Sequence, residues 1–385
     1  MNIKTFPNET STSDTTIDSH DPLANFLRYR LKLDWPMLGF IALLYFGPFE
    51  KILLPYLGGF LRLDVGIREW VPHVESLLTG FIEFPVFLAF YLWSGAGIVT
   101  LFYSMRQRHS FSDEAAYATF VERALKSFRN KLWPVIGLAA GILAALVMHF
   151  VIWSDNALVP PWFGDRPWMR ALSLFNIGLV AYTVSQSLIR EGLVIIWLNR
   201  LWRELGDKLD IHPYHEDEAG GLGSVGLHAV VYLFFVVALM LFILMATLIP
   251  GFMAQGVTGE TIPLRFWSPV LVAIWVSYLI VIPATLFLLI WPAHSIMLKK
   301  RFESLSIYSS QLDDLLEKAS RYTRQDPKKV ADTLERMQNL KKMRAVILED
   351  YPVWPLSRES TRMLGFTSAM PTLYSAVTFI VSTLS

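Results

Sequence analysis

Side chains able to do chemistry gather in one stretch, Arg190 to His228. It holds His212, His215, Glu216, Asp217 and Glu218, then Gly220, Gly221, Gly223 and Gly226, with Arg190-Glu191 ahead of them and His228 behind. Imidazoles and carboxylates are the ligands that Zn, Mn or Mg accept, so His212, His215 and Asp217 form a candidate divalent-metal set. His228 and His294, expected at the same membrane face, could complete it. A metal-activated water there would make the chain a membrane metalloenzyme. Against this, the spacing matches no metal signature, and a loop with three consecutive acids also reads as a solvated surface. Gly221-Leu-Gly223-Ser-Val-Gly226 has the form of a dinucleotide fingerprint. That motif works after a strand, whereas here a helix precedes it, and Glu216, Asp217 and Glu218 would repel phosphate. The glycines read better as a flexible or close-packed entry into a helix, so no organic cofactor is expected.

A second set of candidates lies inside apolar runs, where charge is expensive and is usually functional or paired. Glu50 and Lys51 stand between Pro48 and Pro55, which predicts a broken helix whose backbone needs partners. Glu83 and Pro85 open the next apolar run, and with Glu50 and Lys51 they could line an outer vestibule; the other reading puts all three charges among lipid headgroups. Arg190-Glu191 interrupts a later run. Either the helix has reached the interface there, or the pair faces inward, toward His228 or His294. His149 lies within an apolar run and reads as a hydrogen-bonded core histidine.

The elements that must position these groups are membrane helices. The chain has 385 residues, 53% hydrophobic and only 17% charged, against roughly 25% charged in soluble domains. Net charge is +1, which argues for neither nucleic acid nor an acidic partner, and the absence of cysteine excludes disulfides and thiolate chemistry. A spanning helix needs about 20 apolar residues. Six stretches qualify: Trp35 to Tyr56, Gly80 to Tyr103, Leu132 to Trp153, Ala171 to Leu198, Leu227 to Ile249 and Trp267 to Met297; a seventh, Gly365 to Leu384, is uncharged but rich in Ser and Thr. Of 34 Lys and Arg, five (Arg62, Arg68, Arg166, Arg170, Arg265) fall in one set of connections, and Lys51 and Arg190 lie inside apolar runs; all the others fall in the alternate set. This asymmetry puts the N terminus in the cytoplasm of a multi-pass inner-membrane protein. Trp35, Trp133, Trp153, Trp267 and Trp291 at the span ends read as an interfacial belt.

Residues 1–30 are polar with no apolar core, and predict a disordered cytoplasmic tail rather than a signal peptide; Asn8-Glu9-Thr10 matches a glycosylation sequon on the wrong side of the membrane for use. Residues 31–298 make the bundle. Within it Tyr117, Phe120, Val121, Leu125 and Phe128 recur at helical spacing over 112–130, an amphipathic helix lying on the membrane or on its neighbours. In 299–350, Phe302, Leu305, Leu312, Leu315, Leu316, Ala319 and Tyr322 line one helix, and Val330, Leu334, Met337, Leu340, Met343 and Ile347 another. The Asp326-Pro327 start of the second predicts a cytoplasmic antiparallel hairpin of coiled-coil type. It braces the sixth span, or pairs with a second copy or a cytoplasmic partner. Over 351–385, Tyr351-Pro352-Val353-Trp354-Pro355 turns the chain back to the last membrane helix. The fold expected is all-α, a bundle of six or seven spans with this hairpin attached.

His215-Glu-Asp217-Glu-Ala219-Gly220-Gly221-Leu222-Gly223 resembles the His-Pro-Asp-x-Ala-Gly-Gly-Leu-Gly segment of uncharacterised bacterial polytopic inner-membrane proteins, and Tyr351 to Pro355 is similar to a Pro-x-Trp-Pro turn near their C termini. Glu216 stands where the pattern has Pro. The resemblance implies a bacterial inner-membrane home and no particular chemistry. The proline-broken spans and interior charges point to a channel-like or transport-like protein embedded in lipid. A sensor or assembly scaffold using the hairpin is the alternative, and the metalloenzyme a further one; the balance leans away from an enzyme.

Overall fold

The computed structural model describes residues 17–53, 56, 79–152, 167–212, 215–258, 264–322 and 327–365, and all regular elements among them are helical. The sequon at Asn8 and the expected seventh span after Gly365 lie outside the described residues. Five helical stretches, Gly80–Gln107, Glu114–Phe150, Pro167–Lys208, Gly223–Ile243 and Ile280–Arg321, are long and apolar enough to cross a bilayer. Those five make the chain compatible with an integral membrane protein.

The expected disordered tail is corrected from Ile17 onward. A 3₁₀ turn (Ile17–His20), α1 (Pro22–Asn25) and a π turn (Phe26–Arg30) follow one another. Asp21 caps α1 by accepting from the backbone N–H of Leu23 and of Ala24. The segment is ordered because its acids find buried cationic partners, described below.

Helix α2 (Trp35–Leu44) starts at Asp34, whose carboxylate accepts from Met37 N–H. It passes into π turns over Tyr45–Leu53, where Pro48 supplies no N–H and breaks the α ladder. A second π turn, Thr79–Glu83, leads into α3 (Phe84–Gln107) ahead of Pro85. The two irregular stretches pack on each other: a Cβ on Gly47 would stand 2.7 Å from the Phe81 ring.

Helix α4 (Glu114–Phe128) buries all five positions its spacing marked, and Tyr117 OH donates to the Phe102 carbonyl at 2.8 Å. It therefore lies on its neighbours α3 and α6. Helices α5 (Leu132–Val147) and α6 (Pro167–Leu205) run antiparallel and meet through glycines: a Cβ on Gly141 would stand 2.6 Å from the Gly178 carbonyl oxygen, and one on Gly137 would strike Gln186. Small residues let backbones approach where lipid offers no hydrophobic drive. The rest of α5 turns outward, with Leu138, Leu143 and Leu146 exposed as a lipid-facing helix requires.

Helix α7 (Gly223–Thr258) packs on α3 and on α8 (Leu264–Tyr322), whose 59 residues continue well beyond the apolar part. Helix α9 (Pro327–Asp350) returns along α8, with Arg301 donating to the Leu348 carbonyl. The apolar stripe expected there is only half covered. Leu305, Leu312 and Met337 are buried, whereas Phe302 is 61% exposed and Leu316, Leu334 and Met343 are also open.

Candidate functional site

The basic connections assemble at one end of the bundle. Ser112 N–H donates to the Lys208 carbonyl, Asp210 N–H to the Ser110 carbonyl, Lys208 pairs with Asp113 and Lys299 with Asp207. Asp217 lies among them. Its Oδ1 accepts from the N–H of Ala219 and of Gly221 (both 3.0 Å), and its Oδ2 from Gly223 N–H (2.8 Å) and from Arg108. Burial pushes the carboxyl up, but the N–H groups of Gly221, Gly223 and Ala219, with the Arg108 guanidinium, outweigh it and hold Asp217 below the usual carboxylate range. Glu218, Gly220 and Gly221 take φ of 55°, 67° and 95°, and a Cβ on Gly220 would crowd Ile211 and Pro352. The loop thus closes the N terminus of α7.

The expected metal set is not brought together as ligands. Asp217 is engaged by backbone donors and Arg108, with His215 Nδ1 2.9 Å from it, while His212 turns to the surface near Asp210. Among the described residues no group of three His, Asp or Glu is placed to hold an ion. His294 also stands apart: its Nδ1 lies 2.6 Å from the Val353 carbonyl, and its ring stacks on Trp354 at 3.8 Å. The fingerprint glycines serve packing, since a Cβ on Gly226 would fall 2.0 Å from the Pro355 carbonyl oxygen.

The interior charges are organised by α6. Its buried face carries Ser173, Asn176, Thr183, Ser187, Arg190 and Glu191, which fall within an arc of about 100° at 3.6 residues per turn. The depth of this stripe follows from α5. Gln186 donates to the Trp133 carbonyl in the first turn of α5, Gly178 meets Gly141, and Arg170 Nη2 lies 3.3 Å from His149 near its far end. Arg190 and Glu191 are therefore level with the basic end of α5, and both face the interior.

Arg190 is 4% exposed. Its Nη1 donates to the Tyr91 carbonyl (2.8 Å) and Ser94 Oγ (3.1 Å), and its Nη2 meets Asp21 Oδ2 (3.1 Å) and Asp18 Oδ1 (3.2 Å). Arg28 pairs with Asp18 and donates to the Leu92 carbonyl, and Tyr182 OH donates to Asp21 Oδ1 at 2.7 Å. Gly95 admits this: any Cβ there would overlap the Asp18 carboxylate. Two acids and two guanidinium groups close into a neutral cluster.

Glu191 belongs to a separate pair. Its Oε2 lies 2.9 Å from His228 Nε2, and both residues are almost wholly buried. Glu191 Oε1 and His228 Nδ1 have no hydrogen-bond partner among the described residues. The His228 ring lies against Trp93, centroids 5.2 Å apart.

Deeper in, Asn176 Nδ2 donates to Glu50 Oε2 at 2.9 Å and Tyr45 OH to Asn176 Oδ1 at 3.1 Å. Glu50 and Glu83 are buried at 4% and 3% exposure; the side chain of Lys51 lies outside the described residues. Sequence reasoning missed Asp18, Asp21, Asn176, Thr183 and Ser187. Two signals mark them: Asp21-Pro22 is a helix start, and Ser173, Asn176, Thr183 and Ser187 share one helical face. A scan against protein-family models, a search of curated proteins and a search of solved structures each found no match to this chain.

Proposed function

We propose that the protein is a transport-like integral membrane protein whose path runs along the inner face of α6. The observation that carries this reading is the buried polar stripe from Asn176 to Glu191, meeting Glu50 at one end and the Arg190 cluster at the other. Fifteen residues at 1.5 Å span about 22 Å of a hydrocarbon layer of roughly 30 Å. Polar side chains along one interior face at such depth are costly in a passive scaffold and mark ion or solute pathways. The π turns at Tyr45–Leu53 and Thr79–Glu83 support it, because irregular backbone at membrane depth is tolerated where it lines a path or is buried in protein. The basic end belongs in the cytoplasm of an inner membrane, by the excess of Lys and Arg in its connections. Proteoliposomes holding the full chain, loaded with dyes for protons and for monovalent cations and placed under a gradient, should leak faster than empty ones. Thr183→Val, which removes one hydroxyl from the stripe, should slow that flux severalfold. Equal rates with and without protein would refute the reading.

A second reading rests on a different observation. Phe302 and Leu316, on one side of α8, and Leu334 and Met343 on α9 remain open on the 299–350 segment, as an assembly or sensor arm would present to a second copy or a cytoplasmic partner. Replacing Phe302 and Leu316 by Ser should then lower the oligomeric mass in detergent, and an unchanged mass would remove it.

A further inference from the structure

We infer that Glu191 and His228 form a proton-binding site, and that a proton is the ion moved or coupled along the α6 path. This rests on the transport reading for its role but not for its chemistry. The charge arrangement carries it. Arg190 adjoins Glu191 in sequence, yet its charge is already met by Asp18 and Asp21, with Arg28 balancing the second acid. Glu191 is left with one partner, an imidazole. A buried carboxylate facing a neutral ring is an uncompensated charge, which a membrane interior tolerates poorly.

One proton resolves it. With Nε2–H donated to Glu191 Oε2, the acceptor left on the ring is the Nδ1 lone pair, and the acceptor left on the acid is Oε1; neither has another partner among the described residues. A proton on Nδ1 turns the ring into an imidazolium and brings the pair from −1 to neutral; its departure restores −1. The one bond that forms and breaks is Nδ1–H, its electron pair coming from and returning to the ring nitrogen and its proton exchanged with water. The groups facing the pair suit both states. Helix α3 contributes the Trp93 ring, whose face favours a cation on His228. Helix α7 contributes Tyr232, near enough to feel the Glu191 charge, while Arg190, next to Glu191 in α6, is turned to the N-terminal acids. Access from the basic end is short, since His228 lies five residues after Gly223, about 7.5 Å along α7.

The test uses the full chain with ¹⁵N-labelled histidine in lipid nanodiscs, His228→Asn identifying the ring resonances. At any one fixed pH, Glu191→Gln, which keeps shape and a hydrogen-bond acceptor but removes the charge, should lower the share of doubly protonated His228 ring relative to wild type. Glu191→Asp, retaining the charge, should stay closer to wild type and covers the case in which Glu191→Gln does not fold. An unchanged His228 protonation in folded Glu191→Gln overturns the proton site. In proteoliposomes under a pH gradient, dye-reported proton entry should fall at least about tenfold in Glu191→Gln. Proton entry that is present in wild type and equal in Glu191→Gln refutes a role for the site in proton movement, even if cation flux shows that the protein transports. A ring that responds to Glu191 without proton entry upholds the site and refutes transport.

Discussion

Replacing Arg190 by Met is the most demanding test of the packing described here. The guanidinium is nearly fully buried and meets Asp18, Asp21, the Tyr91 carbonyl and Ser94. Met fills much of the volume but supplies no charge, so Asp18 and Asp21 are left with Arg28 as their one cation. Breaking a buried ion pair by removing one partner destabilises by about 3–5 kcal/mol, because the other charge stays buried and unmatched. That corresponds to two to four orders of magnitude in the folding equilibrium. Removing the stranded charges should recover most of the loss. In the triple variant Arg190→Met, Asp18→Asn, Asp21→Asn, the amide introduced at position 21 can still cap α1 through its side-chain oxygen. Unfolding in mild detergent, followed by tryptophan fluorescence, gives the stabilities, and trypsin cleavage after Arg28 or Arg30 reports release of the N-terminal segment. A single variant that loses less than about 1 kcal/mol, or a triple no more stable than the single, would show that the segment does not dock through this cluster.

Gly141→Leu should destabilise by about 1–3 kcal/mol through overpacking, since its Cβ would meet the Gly178 carbonyl at 2.6 Å. Gly192→Ala, in the same α6 with nothing near its Cβ, should stabilise by about 1 kcal/mol; the melting temperatures of the two variants check both signs. Asp217→Asn should lower the melting temperature at neutral pH, because an amide cannot serve Ala219, Gly221 and Gly223 with both oxygens or attract Arg108. Asp217 has a depressed folded-state pKa, so its contribution is fully present above the unfolded value of about 3.9 and is lost as pH falls through the lower folded value. The gap between wild type and Asp217→Asn should therefore persist at pH 4 to 5 and close only below it; a gap closing near pH 6 would contradict the assignment.

Long apolar runs made most of the architecture legible, because length and hydropathy are local properties. The face of α4 followed from Tyr117, Phe120, Val121, Leu125 and Phe128, and the break in the first apolar run from Pro48. Interior pairing was less accessible. Arg190 and Glu191 both face inward, yet adjacent residues on a helix point about 100° apart, so they belong to different pairs: Arg190 to acids some 170 positions earlier and Glu191 to His228. No local pattern encodes a contact of that separation. The tail was misjudged for the same reason. Residues 17–30 are too polar to order themselves, and their order comes from Arg190 and Gly95, which the segment meets only after folding. The His-acid loop is ambiguous for a different reason: metal ligands and helix-capping carboxylates are the same residue types, and in sequence alone the direction of nearby N–H groups, here toward Asp217, is not visible.

The 215–223 loop and the 351–355 turn touch, and that contact gives the loop a role in the proposed site. Gly220 packs beneath Pro352, Gly226 beneath the Pro355 carbonyl, and Arg358 reaches Glu218 at 2.9 Å. Trp354 in turn stacks on His294 of α8. The first turn of α7 is thus held from the loop side by Asp217 and from the far side by the 352–355 turn. His228 is five residues into that helix, so any axial slip of α7 moves its ring relative to Glu191, whose own position is fixed by α6. A 1.5 Å slip, one residue of rise, would stretch a 2.9 Å hydrogen bond lying across the axis to about 3.3 Å, the edge of bonding range. The densest cluster of reactive side chains in the sequence therefore acts by position: it sets the register of the helix whose histidine completes the buried pair.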